Sequence, residues 1–166
     1  MNLLFDFVAD KETKTIYVTR EFAAGIDLVW DAFTKAEILE KWVAPKSLKL
    51  SIKEMDFREG GRWLYAMVSG DNILGYSLAE FISINPKNSF TTRNSFADEN
   101  GNSLNNQFSI TTNNFKEEGW KTTVYIEKKF DDLVLLEKMA TLGFKEGSAA
   151  GYANLDEYFL SITNNK

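Results

Sequence analysis

The sequence predicts an α+β fold: a long antiparallel meander set between two short helices and a closing amphipathic helix. Three observations predict it. The apolar period changes from helical to two near Leu48 and returns to helical after Ile126. Short polar turns join the period-two runs, whereas parallel strands would need long crossovers. No repeat, low-complexity tract or linker interrupts the 166 residues, so one domain over 1–166 is expected.

Each element follows from local pattern. Ile16 to Phe22 is a β-branched and aromatic run, read as a strand, and Leu3, Phe5 and Val8 can pair back on it across the polar Asp10–Thr13 stretch. Ile26, Val29, Trp30 and Phe33 fall on one face of a short helix. Thr34-Lys35-Ala36-Glu37 has capping-box spacing and opens a second helix with Ile38, Leu39 and Trp42 as its apolar face, stopped by Pro45. Strands are then expected at Leu48–Lys53, Trp63–Val68 after the Gly60-Gly61 turn, Tyr76–Ile82, Phe90–Phe96, Phe108–Thr112 and Trp120–Ile126. Leu135, Leu136, Met139 and Leu142 mark a short helix that Gly143 stops. Tyr152, Leu155, Phe159 and Ile162 recur on one face of a last helix expected to start near Ser148.

Composition narrows the chemistry. The chain has neither cysteine nor histidine. This removes thiol nucleophiles, Ser-His-Asp chemistry, disulfides and zinc sites of the finger type, leaving carboxylates, amides, hydroxyls, arginines and aromatics. The 19 Lys and Arg against 24 Asp and Glu leave a net charge of −5, which argues against nucleic acid or an anionic membrane as partner. No basic leader and no apolar run of membrane-spanning length is legible, so the cytoplasm is the expected compartment. Aromatics make up 14% of the chain, which suggests an apolar cavity or interface. Asp98-Glu99-Asn100-Gly101-Asn102 resembles a calcium loop only superficially, because Ser103 and Ser109 stand where its glycine and glutamate belong. No metal and no cofactor is expected.

The order of elements, together with particular residues, resembles a known family. The residues are Arg20-Glu21-Phe22, Val29-Trp30-Asp31-Ala32-Phe33-Thr34, Leu39 with Trp42 and Pro45, and Asp56 to Trp63 with Tyr65 and Met67. Glu80, Met139 with Gly143-Phe144 and Glu146-Gly147, and Asn154 to Tyr158 complete the series. On these residues the chain resembles the activator of heat-shock protein 90 ATPase homologues, within the START-like (SRPBCC) helix-grip superfamily. The resemblance implies a curved antiparallel sheet of about seven strands wrapped around a long C-terminal helix, with a cavity between them. It implies no reaction, since one fold hosts many functions. Two departures stand out: Ser148 replaces a usual aromatic, and Gly25 a frequent proline.

The face Trp63-Tyr65-Met67 is a candidate cavity lining against Tyr152, Leu155 and Phe159 of the closing helix; alternatively these residues simply fill the core. Tyr65 and Tyr76 offer hydroxyls that need partners if buried. Glu80 shares the parity of Tyr76, Leu78 and Ile82, and an inward face would make it a weak candidate general acid or base; otherwise it pairs with an arginine or meets solvent. Arg93 could clamp a ligand carboxylate; otherwise it faces water or pairs across strands. Glu54, Asp56 and Arg58 read as a solvated edge.

Three functions are open on the sequence. One is a binding protein for a small hydrophobic or amphipathic ligand, more in keeping with a non-enzyme. A second is a heat-shock protein 90 partner, although the two-domain eukaryotic activator carries a further N-terminal domain to which nothing in this sequence corresponds. A third is a cyclase, hydratase or hydrolase working through Glu80 and tyrosines. A monomer and a homodimer are both compatible with the sequence.

Overall fold

The computed structural model describes residues 2–164; positions 1, 165 and 166 of the expected 1–166 domain lie outside the described residues. Strands β1 (Phe5–Asp10) and β2 (Thr15–Phe22) form the N-terminal hairpin, followed by helices α1 (Ile26–Thr34) and α2 (Ala36–Trp42). Strands β3 (Lys49–Met55), β4 (Arg62–Ser69), β5 (Asn72–Asn85), β6 (Ser89–Ala97), β7 (Ser109–Glu118) and β8 (Lys121–Phe130) make the meander. Helices α3 (Leu133–Thr141) and α4 (Phe144–Asn164) complete the chain.

All eight strands join one sheet in the order β1-β2-β8-β7-β6-β5-β4-β3, every pair antiparallel. Strand β1, paired on β2, is thus the strand beyond the seven or so expected. The helix pair α1–α2 carries the chain from β2 to β3 at the far edge, so these helices and α4 close over the concave face. Register shifts at Ile52/Glu54, Met67/Val68 and Phe81/Ser83 sit in the β3–β6 half, where the extra residues bend the strands.

Most of the aromatic surplus is core. Phe22 is fully buried and meets Phe33, Tyr152 and Phe159 edge-on, with ring centroids 5.7–6.0 Å apart. Trp30, Phe33, Trp42, Phe90 and Phe115 extend this cluster beneath α1 and α2. Leu155 and Phe159 of α4 are buried within the same core. Tyr76, Leu64, Leu78 and Ala97 form a separate small cluster on the other face of the sheet.

Two helix starts differ from expectation. Thr34 does not cap α2: its hydroxyl donates to the Trp30 carbonyl at 2.8 Å, and α2 starts after Lys35 with no side-chain cap. Helix α4 begins at Phe144, one turn before Ser148, and runs through Gly147 without a break. Gly143, at φ +82°, ends α3 as expected, because left-handed backbone there favours glycine. Asp132 caps α3 by accepting from the Leu135 N–H at 2.8 Å. Close approach of α4 to α2 depends on Gly151, where a Cβ would lie 3.1 Å from the Trp42 carbonyl, and Asn154 donates to the Ala44 carbonyl at 2.9 Å.

Arg20 fastens α4 to the sheet. It is buried on β2, donates to both carboxylate oxygens of Asp156 and lies 4.8 Å from the centre of the Phe22 ring.

Candidate functional site

A cavity of about 350 Å³ lies between the concave face of the sheet and helices α2, α3 and α4. The sheet contributes Trp63, Tyr65 and Met67 from β4 and Ala79 and Phe81 from β5. Strands β6, β7 and β8 add Thr92, Asn94, Thr111, Asn113, Ile126 and Lys128. Trp42 and Val43 close one end, and Met139, Phe144, Gly147, Ser148, Gly151 and Tyr152 form the roof. A smaller recess of about 110 Å³ shares Tyr65, Asn94, Lys128, Met139 and Phe144 with it.

The walls follow from strand alternation. In β4 the inward residues are Trp63, Tyr65 and Met67, and their Trp63 and Tyr65 rings stack with centroids 4.2 Å apart. The roof follows from small residues: a Cβ at Gly147 would meet open space, and Ser148 brings little bulk where the resemblance leads one to expect an aromatic.

Of the residues singled out by the sequence, the structure brings Trp63, Tyr65, Met67 and Tyr152 together around this cavity. Leu155 and Phe159 belong to the packed core below it rather than to its lining. Tyr76, Glu80 and Arg93 are on the opposite face of the sheet. Glu80 does share a face with Tyr76 and Leu78, but the sheet wraps its other face, that of Ala79 and Phe81, around the helices. Glu80 pairs with Arg93 at 3.2 Å, both half in solvent, and with Glu54–Arg62 at 2.9 Å they form a charged ladder across β3–β6. Arg93 also covers the Phe108 ring at 4.1 Å. Replacing Glu80 by glutamine should therefore change unfolding free energy by no more than about 0.5 kcal/mol, as denaturant titration would show.

The Asp98 loop is a turn. Its carboxylate accepts from the N–H groups of Asn100 and Asn102 at 2.9 Å and from the Asn102 amide, which together hold it below the usual carboxylate range. Among the described residues, no acidic cluster is placed to hold a metal ion.

Sequence reading missed Lys128. It continues the inward parity Val124, Ile126, Phe130, which becomes visible only when β8 is extended past Ile126. Its ammonium donates to the Thr111 hydroxyl at 3.2 Å and lies 5.8 and 6.0 Å from the Phe130 and Phe144 rings. Burial among these groups pushes it down to about 8. Burial also raises Tyr65, an effect offset in part by the Ser77 hydroxyl, and raises Tyr152 against the opposing charge of Arg20. Both phenols stay protonated and can donate.

An antiparallel sheet curved over a long C-terminal helix, with a lined cavity between them, defines a START-like helix-grip protein. The family profile described as Activator of Hsp90 ATPase homolog 1-like protein matches residues 23–160, and the chain belongs to this family. Protein Ms6760 from Mycobacterium smegmatis has a similar structure: 25% identity over 97% of this chain and 99% of that one, with TM-score 0.86. A Staphylococcus epidermidis protein is 26% identical over 90% of this chain and 92% of its own, with TM-score 0.78. An AHSA1 protein from Silicibacter pomeroyi, 17% identical over 88% and 97%, shares the fold with TM-score 0.69. No curated protein sequence matches. Among the described residues no helix is long and apolar enough to cross a membrane.

Proposed function

We propose that this protein binds a small hydrophobic or amphipathic ligand in the cavity between the sheet and α4. The observation that carries the reading is the void itself. Protein interiors are close-packed, and about 350 Å³ of unfilled space falls within the roughly 300–1,000 Å³ range of ligand sites. Its walls fit that use: stacked aromatics and methionines supply apolar contact, and a few polar groups are set to orient a ligand. Catalysis fits less well, because among the described residues neither Asp nor Glu lines the cavity and the candidate Glu80 is on the far face.

Intrinsic fluorescence tests the reading with 4-phenylbutan-1-ol, a neutral probe with an aromatic body. Trp63 and Trp42 line the cavity, so the probe should change emission saturably. Ser148→Phe, which fills the roof, should weaken that binding tenfold or more. A change that never saturates, or that Ser148→Phe leaves untouched, would contradict a site in the cavity.

A further inference from the structure

Given that the cavity is a ligand site, the reading on which this inference rests, its polar lining combines one cation with neutral amides and hydroxyls. Lys128 supplies an ammonium. The Thr92 hydroxyl donates to the Asn94 amide oxygen at 2.9 Å, leaving the Asn94 amide N–H groups to donate elsewhere. Thr111 uses its oxygen to accept from Lys128, so its O–H is also left to donate. Register places these groups side by side on the inner face: Lys128 is opposite Thr111, Thr111 is opposite Thr92, and Asn94 is two residues along from Thr92.

The charge is one-sided. Among the described residues, the other buried or half-buried cations have counter-ions: Arg20 has Asp156, Lys121 has Glu21 and Arg62 has Glu54. Among the described residues, no carboxylate lies within ion-pair distance of Lys128, and none lines the cavity. An ammonium taken out of water without a counter-charge is unfavourable, and two ring faces near 6 Å compensate it weakly.

We propose that the ligand is an apolar monocarboxylate, seated with its carboxylate on Lys128 and within reach of the Asn94 and Thr111 donors, and with its body against Trp63 and Tyr65. A cationic ligand would meet like charge, and a neutral one would leave the ammonium uncompensated. One cation matches one negative charge, and the neutral donors suit the remaining lone pairs of a carboxylate.

Calorimetry at pH 7 with 4-phenylbutyrate, 4-phenylbutan-1-ol and 4-phenylbutylamine isolates the head group on one body. The carboxylate should bind at least tenfold more tightly than the alcohol, and the amine most weakly. Lys128→Met should abolish the carboxylate's advantage while the alcohol still binds, and Lys128→Arg should retain it. Between pH 7 and 10 carboxylate affinity should fall while alcohol affinity stays flat. Lys128 is the group that titrates there: Tyr65 on β4 and Tyr152 on α4 stay protonated, β6 and β7 present only amides and hydroxyls, Ile16 is opposite on β2, and Glu137 of α3 turns out to Lys11. Equal binding of carboxylate and alcohol, or a preference that survives Lys128→Met, overturns the carboxylate assignment and leaves the cavity as a site for neutral ligands. If none of the three probes gives saturable heat, the cavity reading falls as well.

Discussion

Replacing Lys128 by methionine should raise the melting temperature. The ammonium is charged at neutral pH in a setting that pushes it from 10.5 down to about 8, so the folded state carries a cost that the unfolded state does not. Taken in full, that shift corresponds to about 3 kcal/mol; Lys128 is half-buried and faces the cavity, which brings the expected gain to about 2 kcal/mol, or roughly 4–8 °C. Methionine matches the lysine stem in length and adapts to the same apolar walls. The sign with pH is fixed by linkage. Below about 8 both folded and unfolded states hold the proton and the cost is complete. From there to 10.5 the unfolded chain binds more protons than the folded one, so stability rises and the advantage of the variant shrinks. Thermal unfolding at pH 7 and pH 10 checks both points. A variant that melts below the parent at pH 7 would mean that Lys128 is compensated within the fold. A side chain that stabilises the protein when removed is one whose placement is explained by binding, not by packing.

Asp156→Ala should be the most damaging of the single changes discussed. Arg20 is 8% exposed, and its guanidinium is held by Asp156 and by the Glu21 carbonyl. Removing the carboxylate leaves a buried cation without its counter-charge, at a cost of about 3 kcal/mol in urea unfolding; Asp156 is partly exposed, which keeps the cost at the low end of the range for buried pairs. The effect is local to the α4 docking, so α4 should loosen and binding in the cavity weaken with it. Replacing both partners together, Arg20→Met with Asp156→Leu, should recover most of the loss, because no charge is then left unpaired. A loss below about 0.5 kcal/mol for Asp156→Ala would show that the pair does not hold the helix.

The strands were legible because period-two alternation is local, and each run kept its own polar turn. Face assignment was not. Parity correctly placed Glu80 with Tyr76 and Leu78, but which side of a sheet wraps the helices is decided by residues far away in the chain, here Phe22, Trp30 and Leu155. So Trp63, Tyr65 and Met67 fell on the cavity side while Tyr76, Glu80 and Arg93 fell outside it. Thr34 looked like a cap because Ser and Thr serve equally as N-caps and as donors to the preceding turn; its hydroxyl took the second role. The early start of α4 was hidden by Gly147, a residue that disfavours helix but is carried within it once Phe144 packs beside Phe7. Lys128 was concealed by its own chemistry: a lysine between Glu127 and Lys129 reads as a solvated strand end, and only the inward parity of Phe130 reveals it.

Methionine methyl NMR tests the central claim most directly. Among the described residues Met67 and Met139 line the cavity, whereas Met55 packs against the core outside it. With 13C-methyl methionine and 4-phenylbutan-1-ol, the Met67 and Met139 signals should move together along one saturable curve while Met55 holds its position. Shifts confined to Met55, or no saturable shift at Met67 and Met139, would contradict a ligand site between the sheet and the C-terminal helix.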